Sequence, residues 1–197
     1  MSCTLIFGGA RSGKSAYAEQ LAQQSGRRSD QTAAHRQVLY LATARADDEE
    51  MQTRIAHHQQ RRPVDWKTLQ EPLNLGTVIR ENSRSDTVLL IDCLTVWLSN
   101  CLFSSGQVFP EVGNIEAPAI YVEQRAELLA ALSIASSQKA EVILVSNEVG
   151  MGIVPMGAAS RWFVDEAGRL NQAVAALSDR VIWVAAGLPL YLKGQPC

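Results

Sequence analysis

Apolar residues run straight into a glycine-rich turn at LIFGGARSGKS, residues 5–15, and the turn closes on Gly13-Lys14-Ser15. The stretch fits G-x-x-x-x-G-K-[ST] from Gly8 to Ser15, and its flanks fit as well. Leu5, Ile6 and Phe7 read as a short buried strand, and residues 14–24 read as a helix. A loop between those elements points successive backbone N–H groups at phosphate oxygens, and the helix N-terminus adds favourable partial charge. Gly8 and Gly13 permit a wrap that a Cβ would obstruct, while Gly9, Ala10, Arg11 and Ser12 supply the amides between them. Lys14 is placed to reach the β- and γ-phosphates and the Ser15 hydroxyl to ligate Mg²⁺. A glycine-rich turn without a ligand is the bland alternative. Strand, spacing and Lys-Ser together favour nucleoside triphosphate binding.

The rest of the chain repeats the alternation that such a loop needs. Nearly continuous apolar runs recur at residues 4–7, 38–42, 87–91, 142–146 and 181–185, as expected of strands covered on both faces of a parallel sheet. A weaker run spans 64–69. Helical patterns fall at 14–24, 47–61, 95–103, 121–138 and 158–178. This predicts an α/β P-loop NTPase fold, RecA-like, with a mostly parallel sheet, helices on both faces and nucleotide at the carboxyl ends of the strands. The 197 residues suit a single nucleotide-binding domain over 1–197, with loop insertions near 26–37 and 104–118.

Composition narrows the partners. The formal net charge is −2 and charged residues make up 19% of the chain, so no basic footprint points to nucleic acid or to an anionic membrane. Cys3, Cys93, Cys101 and Cys197 show neither a C-x-x-C pair nor a repeated spacing, which argues against a zinc site or a disulfide framework. With no apolar run near 20 residues and no room for a signal peptide before the first strand, the expectation is a cytoplasmic protein.

Two further segments carry chemistry. TVLLIDCLT ends an apolar strand on Asp92, where an acid either caps a helix or holds Mg²⁺, and its place after a P-loop strand favours the metal. ARADDEEMQTRIAHHQQRRP, residues 44–63, has acids at its start, arginines at its end and Pro63 as a stop, the charge order of a helix. It contains His57 and His58. Neighbours on a helix diverge by about 100°, so the two imidazoles serve different faces. His58 falls with Met51 and Ile55, whereas His57 shares a side with Arg54 and Arg61. Read on the helix alone, the pattern favours a solvated His57 between surface arginines over a polyphosphate site. SNEVGMGIVP, residues 146–155, follows a strand at the same sheet edge, where Asn147 and Glu148 orient substrate or simply shape a loop.

Taken in order, GGARSGKS, YLATA (40–44), RIAHH (54–58), SNEVGMGIVP and R-x-x-x-D-x-x-G-R-x-N-Q (161–172) strongly resemble the bifunctional adenosylcobinamide kinase/adenosylcobinamide-phosphate guanylyltransferase family of cobalamin biosynthesis. The likeness runs from the P-loop to about Gly187. It implies phosphorylation of adenosylcobinamide, then transfer of GMP from GTP through a histidine–GMP intermediate to give adenosylcobinamide-GDP. By position the nucleophile is His57. Nucleotide contacts carry over to Gly8–Ser15, to Ala42, Thr43 and Ala44, to His58, Gln59, Gln60 and Arg61, to Glu71 and to Asp92. Family members often carry Ser at the Ala44 position, and some carry Glu at the Asp92 position. The resemblance implies Mg²⁺ held by Ser15 and Asp92, GTP and ATP as substrates, a corrinoid partner and a homo-oligomer, a trimer. The competing readings are a small-molecule P-loop kinase without a covalent step, or a RecA-like nucleotide-driven binding module.

Overall fold

The structure is a computed structural model that describes residues 2–27, 36–45, 63–104 and 106–195. The strands are β1 (Ser2–Gly8), β2 (Gln37–Ala42), β3 (Lys67–Gln70), β4 (Thr87–Asp92), β5 (Glu141–Asn147), β6 (Arg180–Ala185) and β7 (Leu188–Lys193). The helices are α1 (Lys14–Gly26), α2 (Leu75–Asn82), α3 (Leu94–Phe103), α4 (Ala119–Ser137) and α5 (Ala158–Leu177). They build one sheet in the order β3-β2-β4-β5-β1-β6-β7, with β7 antiparallel to β6 and every other pairing parallel. The observed fold is the expected α/β class.

Period-2 alternation sends the strand side chains to two cores. Leu5, Leu41, Leu89, Ile91, Val142 and Leu144 pack under α2–α5 around Leu94, Trp97, Leu98, Tyr121 and Leu170. Ile6, Tyr40, Leu90, Val145 and Ile182 pack under α1 against Ala18, Leu21 and Ala22. Both faces are therefore apolar along the central strands, which is why those runs show no polar alternation. The buried Trp97 indole donates to Leu73 O at 2.7 Å, so its N–H is not lost on burial. Among the described residues no helix is long and apolar enough to cross a membrane.

Three elements depart from the expected pattern. The weak run at 64–69 is a strand only from Lys67, because Pro63 and Trp66 close a turn (Trp66 N–H to Pro63 O, 3.2 Å) and leave Val64 fully exposed. Helix α2 is only eight residues long and carries Gly76 in its first turn, which lowers its helix propensity. Its start is held from outside, where Glu71 Oε1 accepts the N–H groups of Leu73 and Asn74 at 2.9 and 2.8 Å. Strand β7 follows β6 through a two-residue turn, Ala186-Gly187, with both φ values positive at 52° and 79°. The expected helix over 47–61 lies outside the described residues. So does most of the 26–37 segment, whose ends belong to α1 and β2. Residues 104–118 hold no helix or strand among the described residues and are tied to the fold by Ala158 N–H on Glu111 O at 3.1 Å.

A buried ionic cluster anchors the amino-terminal edge of the sheet, opposite the phosphate loop. Glu141, the first residue of β5, accepts from Arg36 Nη1 at 2.7 Å and from Ser25 Oγ at 2.6 Å, with Arg180 Nη2 at 3.5 Å. The Arg36, Glu141 and Arg180 side chains are all 8–12% exposed. Such a cluster joins α1, β2, β5 and β6, and removing one partner leaves buried charge uncompensated. Glu141→Ala should therefore cost about 3–5 kcal/mol in urea unfolding, against about 1 kcal/mol for Ser25→Ala. A loss at Glu141 no larger than that at Ser25 would mean the carboxylate is not the anchor.

Candidate functional site

The carboxyl ends of β1, β2, β4 and β5 meet at one edge. Strand β1 ends at Gly8, and residues 9–13 turn back before α1 begins at Lys14. Ser12 N–H closes the turn on Gly9 O at 3.2 Å, and Arg11 takes a left-handed φ of 56°. The loop lies main chain to main chain against the β6–β7 turn. A Cβ on Gly8 would stand 2.2 Å from Val184 O, and one on Gly13, at φ 95°, would stand 3.0 Å from Gly187 Cα. Gly187 N–H donates to Ser12 O at 2.8 Å. Only glycine fits at both positions, which gives the spacing of the sequence motif its physical reason.

Lys14 is 8% exposed and folds back so that Nζ donates to Gly9 O at 3.0 Å. Burial lowers its pKa from the ordinary value, while Cys93 and Asp92 nearby pull the other way. The ammonium is thus stripped of water and set between the loop and the end of β4. Ser15 follows in the first turn of α1 and is half-buried.

Asp92 ends β4 and is the register partner of Ala42 at the end of β2. Its Oδ2 accepts the Tyr40 hydroxyl at 3.0 Å. Tyr40 lies two residues before Ala42 and so on the same sheet face as Asp92. Thr43 locks the two strand ends together, its hydroxyl donating to Cys93 O at 2.9 Å and accepting Cys93 N–H at 2.8 Å. Asn100 Nδ2 holds Thr43 O and Pro72 O at 2.8 and 3.0 Å. Burial pushes the Cys93 thiol up to about 11, so it is a neutral group beside Asp92 and no nucleophile near neutral pH.

Glu71 N–H donates to Ala42 O at 2.9 Å, which brings residues 42–44 and Glu71 to the same edge. Gln70 Nε2 adds a bond to Ala44 O at 2.9 Å. The structure thus brings Gly8–Ser15, Ala42–Ala44, Glu71 and Asp92 to one sheet edge. Glu71 Oε1 is occupied by the start of α2, a structural task its position alone did not reveal. His57, His58, Gln59, Gln60 and Arg61 lie outside the described residues. Tyr40, Thr43 and Asn100 act as struts. Neither Tyr40 nor Asn100 was singled out from the sequence: Tyr40 meets Asp92 through the register of β2 on β4, and the Asn100 bonds depend on how α3 packs. Ser15 Oγ and the Asp92 carboxylate are hard oxygen donors, the kind that Mg²⁺ takes alongside water and phosphate.

Comparison with known proteins places this geometry. A solved structure of a KaiC-like protein from Pyrococcus horikoshii aligns with 92% of this chain and 70% of its own at 13% identity, with a TM-score of 0.47. The family model described as cobinamide kinase / cobinamide phosphate guanyltransferase matches residues 4–192. The bifunctional adenosylcobalamin biosynthesis protein CobP of Pseudomonas aeruginosa is 45% identical over 98% of each chain. The corresponding CobU proteins of Salmonella typhimurium and Escherichia coli are 39% and 38% identical, each over 96% of this chain and 98% of their own. A match across nearly the whole length, on a sheet edge built around a P-loop, makes this chain a member of the cobinamide kinase / cobinamide phosphate guanyltransferase family.

Proposed function

We propose that the chain phosphorylates adenosylcobinamide and then couples the product to GMP, and that both reactions use the sheet edge built on Gly8–Ser15. The observation that carries the reading is Lys14, buried and held on Gly9 O between the phosphate loop and Asp92, in a chain that matches the family from residue 4 to 192. The amides of Gly8 to Gly13 bind triphosphate oxygens. Ala42, Ala44, His58–Arg61 and Glu71 contact the rest of the nucleotide, whereas Thr43, expected to do so from the sequence, is fully buried with its hydroxyl bonded to Cys93 and shapes the edge from below. Ser15 and Asp92 hold Mg²⁺. The donor set fits this ion, since Tyr40 occupies only Oδ2 of Asp92, and neither Oδ1 nor Ser15 Oγ is taken by another group among the described residues. When bound, Mg²⁺ neutralises charge on the β- and γ-oxygens.

In the first reaction the oxygen of the substrate hydroxyl attacks the γ-phosphorus, its proton passes to the transferred phosphoryl group or to water, the bond to the β–γ bridging oxygen breaks, and the nucleoside diphosphate leaves. Lys14 stabilises charge on the transferred group from a site where water is largely excluded. In the second reaction a neutral nitrogen of His57 attacks the α-phosphorus of GTP. A P–N bond forms, the α–β bridge breaks and pyrophosphate leaves. A phosphate oxygen of phosphorylated adenosylcobinamide then attacks the GMP phosphorus, the P–N bond breaks, and His57 is regenerated as adenosylcobinamide-GDP departs. Arg54 and Arg61 stand three and four positions from His57 in the sequence, and cationic neighbours of that kind would disfavour imidazolium and favour a neutral nucleophile. The working form is a homo-oligomer, a trimer by family resemblance. The outward leucines of β7 (Leu188, Leu190 and Leu192) support an association surface at that edge.

Lys14→Ala should lower kcat/KM for adenosylcobinamide phosphorylation by about 10²–10³-fold, measured at saturating Mg²⁺. Activity near wild type would remove Lys14 from the site. His57→Ala should abolish GMP labelling of the protein by α-labelled GTP while sparing phosphorylation, and His58→Ala should keep the label. A P–N adduct is acid-labile and base-stable. Full labelling of His57→Ala, or an acid-stable adduct, would assign the nucleophile elsewhere.

A further inference from the structure

Strand β5 runs between the phosphate-loop strand β1 and the Asp92 strand β4. The registers pair Gly8 with Asn147 and Asp92 with Val145, so Asn147 extends past Asp92 to the level where the loop begins. Ile143 and Val145 pack with Ala18 and Leu21 of α1, and Leu90 packs in the same cluster. Alternation therefore puts Asn147 and Asp92 on the α1 face, the face from which Lys14 and Ser15 rise.

The main chain of Asn147 is clamped from both sides by buried side chains. Its N–H donates to Thr95 Oγ1 at 2.7 Å, and its carbonyl accepts from Asn171 Nδ2 at 3.2 Å. Thr95 lies 3.3 Å from the Ser146 hydroxyl, and Thr95, Ser146 and Asn171 are all buried. The next residue, Glu148, donates its N–H to Gly8 O at 3.0 Å. Two helices and the phosphate-loop strand thus fix this one residue, whereas its half-buried carboxamide makes no hydrogen bond among the described residues. So rigid a mount for an unengaged polar side chain, at the edge where phosphate binds, points to a ligand contact.

We infer that the Asn147 carboxamide is a further substrate-contacting group, donating its N–H to the terminal phosphoryl of the bound triphosphate, with Thr95 and Asn171 as its positioning residues. The inference rests on the nucleotide site described above. Lys14 Nζ is held on Gly9 O at the start of the loop, and the sheet order sets the ends of β5 and β4 next to β1 on that face, so a terminal phosphoryl bound at Lys14 faces the ends of β5 and β4. A neutral donor there binds phosphate without adding charge, and a carboxylate would repel it.

Binding of ADP and of a non-hydrolysable ATP analogue, each with Mg²⁺, tests this without any corrinoid. Asn147→Asp should raise the Kd of the analogue at least about tenfold and that of ADP less than about threefold. Asn147→Ala should shift in the same direction by less, and Asn147→Ser, which keeps a donor, by less still. Equal weakening of both nucleotides, or no change in either, would overturn the assignment. Wild-type turnover of adenosylcobinamide, measured separately, decides the proposed function without bearing on this ratio.

Discussion

The phosphate loop is shaped by main chain pressed against main chain. Gly8 faces Val184 O at a distance no side chain tolerates, Gly13 meets Gly187, and Gly187 N–H closes on Ser12 O. The loop cannot relax outward without breaking its seat on the β6–β7 turn, so its amides stay aimed at the space where phosphate binds. Preorganisation of this kind is where electrostatic stabilisation of phosphoryl transfer comes from, because the donors need not reorient as charge develops. The antiparallel β7 thus matters to chemistry it never touches.

From that seat the remaining polar groups follow the order of the strands. Asp92, Asn147 and Gly8 end three neighbouring strands, and each is held by partners behind it. Tyr40 holds Asp92, Thr95 and Asn171 hold Asn147, and Thr43 ties the end of β2 to Cys93. At the opposite edge Glu141 gathers Arg36, Arg180 and Ser25. A parallel sheet places all its carboxyl ends together, so one edge becomes the site and the other is free to serve as an anchor.

Much of this was legible in the residues. Apolar runs located the five inner strands to within one or two positions, because burial on both faces leaves nothing polar to blur them. The Gly8–Ser15 spacing revealed the loop, whereas the face that Asp92 shares with Tyr40 follows only from the register of β2 on β4. Strand β7 escaped because its turn is Ala-Gly rather than Asn-Gly, and its exposed leucines alternate with Pro189, Tyr191 and Lys193 in too short a run. Helix α2 escaped because it is eight residues long with a glycine in its first turn, and it depends on Glu71 and on packing against α4. The Thr95 and Asn171 clamps on Asn147 join residues 52 and 24 positions apart, contacts that only the packed fold creates.

The proposed chemistry runs two successive transfers on a single phosphate-binding edge. Incubating the protein with adenosylcobinamide, Mg²⁺, γ-labelled ATP and α-labelled GTP, and then separating the corrinoid products, tests it most directly. The expected outcome is a singly labelled phosphorylated corrinoid that is converted into one product carrying both labels. Accumulation of the γ-labelled corrinoid with no α-label incorporated would contradict it and leave a kinase alone.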